Sequence, residues 1–129
     1  MLSDNDIRRI TSRIVAGYGP LLVGTFGSYA IGTARERSDL DILVIKQTPL
    51  PRSARGLAVR RLLFGVLQPL DIHVFEPDEF EAAANEPLSF AWVIARQVVV
   101  WHAENGAGTR VPCLAERIAA RADEIGSRA

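Results

Sequence analysis

The chain has 129 residues, of which 48% are hydrophobic and 23% charged, so it can bury one core and is too apolar to stay disordered. Fifteen basic and fifteen acidic residues cancel, which excludes a global field drawing the protein to nucleic acid or to an anionic membrane. Cys113 is the single cysteine and offers neither a disulfide nor a thiolate metal cluster, no apolar run approaches the roughly 20 residues of a membrane span, and the N-terminus lacks a signal peptide's apolar core; the expectation is a cytoplasmic protein.

Ser3 followed by Asp6 has the spacing of a capping box, and Ile7, Ile10 and Ile14 then recur at helical spacing up to Gly17. The apolar run LLVGTF predicts a buried strand ending at Gly27, and Ser28 opens a short helix to about Ala34. After the polar turn ARERS, the segment DLDILVIK from Asp39 to Lys46 alternates with period two and predicts a second strand. Ser53 is the expected cap of a helix carrying Leu57, Leu63, Phe64 and Leu67, with Arg52, Arg55, Arg60 and Arg61 as a solvated face. LDIHVF predicts a third strand. Two short helices, each beginning at a proline (Pro77, Pro87), precede a fourth strand VVVW. The stretch AENGAGTRVP reads as a linker, and Leu114, Ile118, Ala122 and Ile125 as the apolar stripe of a closing helix. Trp92, Trp101 and Cys113 are expected to pack. The fold class is α/β, an α+β arrangement with about four strands in a mixed sheet flanked by helices. The domain is expected over residues 1–105, with 106–129 as linker and C-terminal helix packed on it.

One feature is out of place in such a core. Asp39 and Asp41 stand two apart on a strand and therefore share a face. Two carboxylates about 4 Å apart repel by about 4 kcal/mol at an effective dielectric near 20, so the sheet needs a cation or protons there. Magnesium takes hard oxygen ligands, commonly carboxylates with substrate phosphates, and Asp71 offers a third carboxylate if the third strand lies beside the second. Asp71 shares its strand face with His73 and Phe75; His73 is read as a packing or surface residue rather than a base. Gly27 allows close backbone approach, and Ser28 at a helix start adds a hydroxyl, free amides and the positive dipole end, so the turn reads as a phosphate cradle.

These residues resemble a known pattern. Gly27, Ser28, Ala30 and Gly32, then Ser38, Asp39 and Asp41, match the G-S-x-A-x-G-x(5)-S-D-x-D signature of the minimal nucleotidyltransferases of the DNA polymerase β superfamily. The resemblance extends to about His102. It implies a nucleotidyltransferase fold, two divalent ions (Mg²⁺, with Mn²⁺ as an alternative) on Asp39, Asp41 and Asp71, ATP as substrate, and triphosphate contacts at Gly27 and Ser28. Many members carry Arg after the motif alanine, where this chain has Ile31; Arg35 and Arg37 are the nearest substitutes. Similarity to minimal nucleotidyltransferase antitoxins implies a HEPN-domain toxin as partner, its tyrosine hydroxyl accepting AMP; self-association is the other way to complete so small a site. Two alternatives stand beside this reading: an antitoxin that neutralises by occlusion without catalysis, and nucleotidylation of an aminoglycoside-type small molecule.

Overall fold

In the computed structural model, which describes the backbone of residues 1–128 and the side chains of residues 1–121, Ser3 and Asp6 bond reciprocally to each other's backbone and start helix α1 (Asp4–Tyr18). Gly19, in the left-handed region at φ 62°, ends it. The chain continues through β1 (Leu22–Phe26), α2 (Ser28–Ile31), β2 (Leu40–Ile45), α3 (Arg52–Leu62), β3 (Leu70–Phe75), α4 (Pro77–Ala84), α5 (Phe90–Gln97), β4 (Val99–Ala103), α6 (Ala107–Arg110), a 3-10 turn (Pro112–Leu114) and α7 (Ala115–Arg128).

The strands form one mixed sheet in the order β3-β2-β1-β4. β2 and β3 are parallel, with α3 in the crossover between them, and β1 is antiparallel to both β2 and β4. Because successive strand residues face opposite ways, each face builds its own core. On one face Ile7, Ile10 and Ile14 of α1, with Val59 and Leu63, cover Val23, Ile42, Val44 and Ile72. On the other, Phe80, Ile94, Val98, Val111 and Leu114 cover Leu22, Phe26, Leu43, Ile45 and Phe75. This is the predicted α/β sheet flanked by helices.

Several local expectations are corrected. α3 starts at Arg52 behind Pro51, not behind a Ser53 cap, and stops at Leu62. Its buried stripe is Arg55 and Val59, continued by Leu63 at i, i+4 and i+8, so Leu57, Phe64 and Leu67 face solvent at 56%, 88% and 97% exposure. The arginines are accordingly no uniform solvated face. Buried Arg55 donates from Nε to Leu50 O at 2.9 Å and from Nη1 to Glu79 Oε1 at 2.8 Å. Arg60 bonds Leu70 O at 3.2 Å, and Arg52 stacks over Phe75. Ser89, whose hydroxyl accepts from Trp92 N–H, caps α5, so that helix begins three residues after Pro87. α2 ends at Ile31 because Gly32 turns left-handed there. The stretch read as a linker instead contains α6 and the first residue of the 3-10 turn, with Ala107 and Val111 fully in the core, and Leu114, expected in the closing helix, ends that turn. Trp101 packs as expected while its Nε1 donates to Thr25 Oγ1. Cys113 packs too, and burial, with Glu81 beside it, pushes its thiol up to about 12. Ala122 and Ile125 lie outside the described side chains.

Arg55 is a charge that folding can only tolerate paired. Arg55→Ala is expected to destabilise the protein by about 3 kcal/mol, because Glu79 and the Val74 and Leu50 carbonyls lose their donor, whereas exposed Arg52→Ala should cost less than about 1 kcal/mol. Urea unfolding of the two variants measures the difference; equal losses would contradict the assignment.

Candidate active site

At the end of β1 the backbone must pass from strand to helix within one residue. Gly27 does so at φ 72° and ψ −152°, a region that side chains avoid. A Cβ there would also collide with Asp41 Oδ2, so the turn lies directly against that carboxylate. The register places Phe26 opposite Asp41 on one side, and Asp41 opposite Asp71 on the other. Sheet pairing therefore brings Gly27, Asp41 and Asp71, 14 and 30 residues apart in sequence, to one end of the sheet.

Asp41 is half-buried, Asp71 exposed, and Asp39 exposed just before β2. The Asp41 carboxyl titrates above its ordinary range, first because burial disfavours its charge, then because Asp71 and Asp39 repel it; His73 acts in the opposite sense. Oxygen-only donors with mutual repulsion suit a hard divalent cation in chemistry and charge. The geometry is less complete: among the described residues, no group of three or more His, Cys, Asp or Glu side chains stands positioned to hold a metal ion. Asp41 and Asp71 are brought together, while Asp39 reaches Asp41 only by its field.

His73, read from the sequence as a packing or surface residue, packs and also stands beside Asp71. Its Nε2 lies 3.1 Å from Asp71 Oδ2, within ion-pair distance but off the line of a hydrogen bond, and has no hydrogen-bond partner among the described residues. Its ring packs tilted against Phe26 and edge-on to Phe90, centroids 5.6 and 5.0 Å apart. The period-two placement of His73 after Asp71 was the available signal. Phe90 carried none, being positioned by packing between distant elements.

The turn itself differs from a bare cradle. The Gly27 N–H donates to the side-chain oxygen of Gln97, and the Ala30 and Ile31 amides both use Gly27 O. The amides of Ser28 and Tyr29 remain as first-turn donors. Ser38 has a structural task, its hydroxyl accepting from Arg35 N–H at 2.8 Å to close the turn before β2. Ile31 is 57% exposed, and Arg35 and Arg37 are exposed as well. Asp39 and Asp71 are exposed to solvent; the groove between α4, α5 and α7, about 280 Å³, is lined by none of the three carboxylates, and one of about 380 Å³ is lined by Asp39.

A mixed sheet with a glycine-serine turn against facing strand carboxylates defines a nucleotidyltransferase-type α/β protein. Residues 5–99 match the nucleotidyltransferase domain family, and the chain belongs to it. No curated protein matches. Among solved structures the chain is similar to one described as the toxin-antitoxin with AMP-PNP, at 18% identity over 98% of this chain and 93% of that chain, with a TM-score of 0.57. Two mutant forms of the toxin-antitoxin MntA-HpeT are also similar. One is 16% identical over 98% of this chain and 93% of that chain, TM-score 0.57. The other is 18% identical over 99% and 93%, TM-score 0.52. At these identities the likeness establishes the fold.

Two outcomes are expected from the crowding at Asp41. In metal-free buffer, Asp41→Asn should raise the melting temperature by a few degrees, since it removes a charge that burial and two neighbours disfavour. The sign of the pH dependence agrees: the folded state holds the Asp41 proton more tightly than the unfolded chain. Wild-type stability from this group is therefore gained as pH falls through the raised folded-state value, and the advantage of Asp41→Asn should fade there. Gly27→Ala should instead cost about 2 kcal/mol, from the left-handed backbone and the clash. Thermal melts of both variants across pH check these signs.

Proposed function

We propose that the protein transfers AMP from ATP to a hydroxyl group of a protein partner, a tyrosine of a HEPN-type toxin, and so acts as its antitoxin. The observation that carries this reading is the register that sets Asp41 opposite Asp71, with the Gly27-Ser28 turn against Asp41. Two divalent ions, Mg²⁺ or Mn²⁺, held by Asp39, Asp41 and Asp71, would neutralise the triphosphate and the charge that develops on the leaving pyrophosphate. Ser28 and Tyr29 amides, with the Ser28 hydroxyl, bind the phosphates at the start of α2. Asp71, the most exposed of the paired carboxylates, accepts the proton of the attacking hydroxyl as its oxygen bonds to the α-phosphorus and the bond to the β-phosphate bridge breaks. His73 borders that carboxylate and shields it on the Phe90 side.

An acceptor that brings its own surface suits an open site better than a small molecule, which needs an enclosing pocket. The similar structures are toxin-antitoxin structures, one with AMP-PNP, which supports a toxin as partner and a nucleotide as substrate. In this reading residues 1–105 form the catalytic domain, and 106–129 complete it by packing on the same core; a second copy of the chain is the alternative cover. The balanced charge of the chain gives no footprint for RNA as acceptor.

The test is to incubate the toxin encoded beside this protein with ATP and Mg²⁺ and weigh it by intact mass spectrometry. A gain of one or more AMP units with the wild type, absent with an Asp39→Ala, Asp41→Ala double variant, is the expected result. No mass gain with equal neutralisation by both proteins would replace transfer by occlusion. Asp71→Asn is expected to bind ATP within a few-fold of wild type while transfer falls by about 10²- to 10⁴-fold, as for loss of a general base; unimpaired transfer would remove Asp71 from the proton's path.

A further inference from the structure

The glycine of the turn is held from a distant part of the chain. Pairing between β1 and β4 ends at Thr25 and Val99, with the register slipping between Val23 and Gly24. Gly27 thus stands beyond the last β4 partner, and its N–H is taken by the side-chain oxygen of Gln97, 70 residues away. Gln97 is the last residue of α5, and it is followed at once by Val98, which is buried against Gly24 of β1. The carbonyl position that a longer β4 would supply is filled by a side chain whose backbone is fixed by that packing.

The other end of the same helix is fixed at the site as well. Phe90, the first residue of α5, packs edge-on against His73 and Phe26. Phe90 and Gln97 are seven positions apart, two helical turns, and so lie on one stripe of α5. That stripe touches the Asp71-His73 neighbourhood at one end and the Gly27 amide at the other. A rigid helix of about 12 Å therefore spans the candidate site and sets the distance between its two parts.

We propose that Gln97 is a positioning residue of the nucleotide site: by accepting from the Gly27 amide it holds the turn in its left-handed conformation, with the Ser28 and Tyr29 amides presented for phosphate. The inference rests on the nucleotidyltransferase reading above. Its physical content is an ordering cost. Without the acceptor, Gly27 has wide backbone freedom, and the phosphate must order the turn as it binds. One hydrogen bond of ordinary net strength corresponds to about a five- to tenfold weaker association. Gln97→Met keeps the length and packing of the side chain but removes the acceptor; Gln97→Glu keeps an acceptor.

Amide hydrogen exchange in the nucleotide-free protein reads the hydrogen bond directly. The Gly27 amide is expected to exchange at least tenfold faster in Gln97→Met than in wild type, and to be slow again in Gln97→Glu, with melting temperatures of all three within a few degrees. Calorimetry with ATP and Mg²⁺ then reads the consequence: weaker binding by about five- to tenfold in Gln97→Met. Unchanged Gly27 exchange in Gln97→Met, or equal ATP affinity for wild type and Gln97→Met, overturns the positioning role. Failure of the wild type to bind ATP at all overturns the nucleotide reading, and the phosphate role of Gln97 with it, even where the exchange data show the hydrogen bond itself.

Discussion

The parallel pairing of β2 with β3 is the constraint on which the rest depends. It puts Asp41 opposite Asp71, and it can form only because α3 carries the chain back across the sheet between them. α3 in turn is held down by Arg55, a buried guanidinium bonded to Leu50 and Val74 carbonyls and to Glu79. A charge in the interior is an expensive tether, but it ties three elements at once: the loop before α3, strand β3 and helix α4. The repulsion tolerated at the carboxylates is thus offset by packing well away from them.

The site is divided between the two ends of that constraint. β1, antiparallel to β2, brings Gly27 against Asp41, and β3 brings Asp71 with His73. Nothing within a single segment joins the Gly27 turn to the Asp71-His73 pair. Helix α5 does so from outside the sheet, through Phe90 at one end and Gln97 at the other. The arrangement explains why a short, half-buried α2 can hold a defined turn: its geometry comes from its neighbours, not from helix propensity, which is weak for four residues.

Openness is the second property of the site. Asp39 and Asp71 are exposed, and Asp71 lines neither the groove between α4, α5 and α7 nor the one beside Asp39. Where exposed carboxylates carry the chemistry, whatever binds over them must exclude water and orient the reacting groups. Membership of the nucleotidyltransferase domain family covers residues 5–99, so the family's part ends as β4 begins. Beyond β4, helix α6 and the 3-10 turn fill the core beneath α4 and α5 through Ala107, Val111 and Leu114. They support the scaffold.

Sequence alone determined the features that depend on near neighbours: the Ser3-Asp6 cap, the four strands read from short apolar runs and, in DLDILVIK, period-two alternation, and the Gly27-Ser28 and Asp39-Asp41 pattern that points to nucleotidyl transfer. Each is set by spacing of a few residues, where period and local hydrogen bonding act. The stripe of α3 was misread because Leu57, Phe64 and Leu67 are apolar but do not lie on the Arg55-Val59-Leu63 line that meets the sheet. Apolarity cannot say which face is covered, and a buried arginine looks like a surface one until its partners are assembled. The segment after β4 read as a linker because its glycines and polar residues hide two turns that only the core stabilises. The pairing of Asp41 with Asp71, the place of His73 beside Asp71, and the capture of the Gly27 amide by Gln97 were decided by the tertiary structure, since each joins residues separated by whole elements, and strand order and helix docking, not local spacing, fix such contacts.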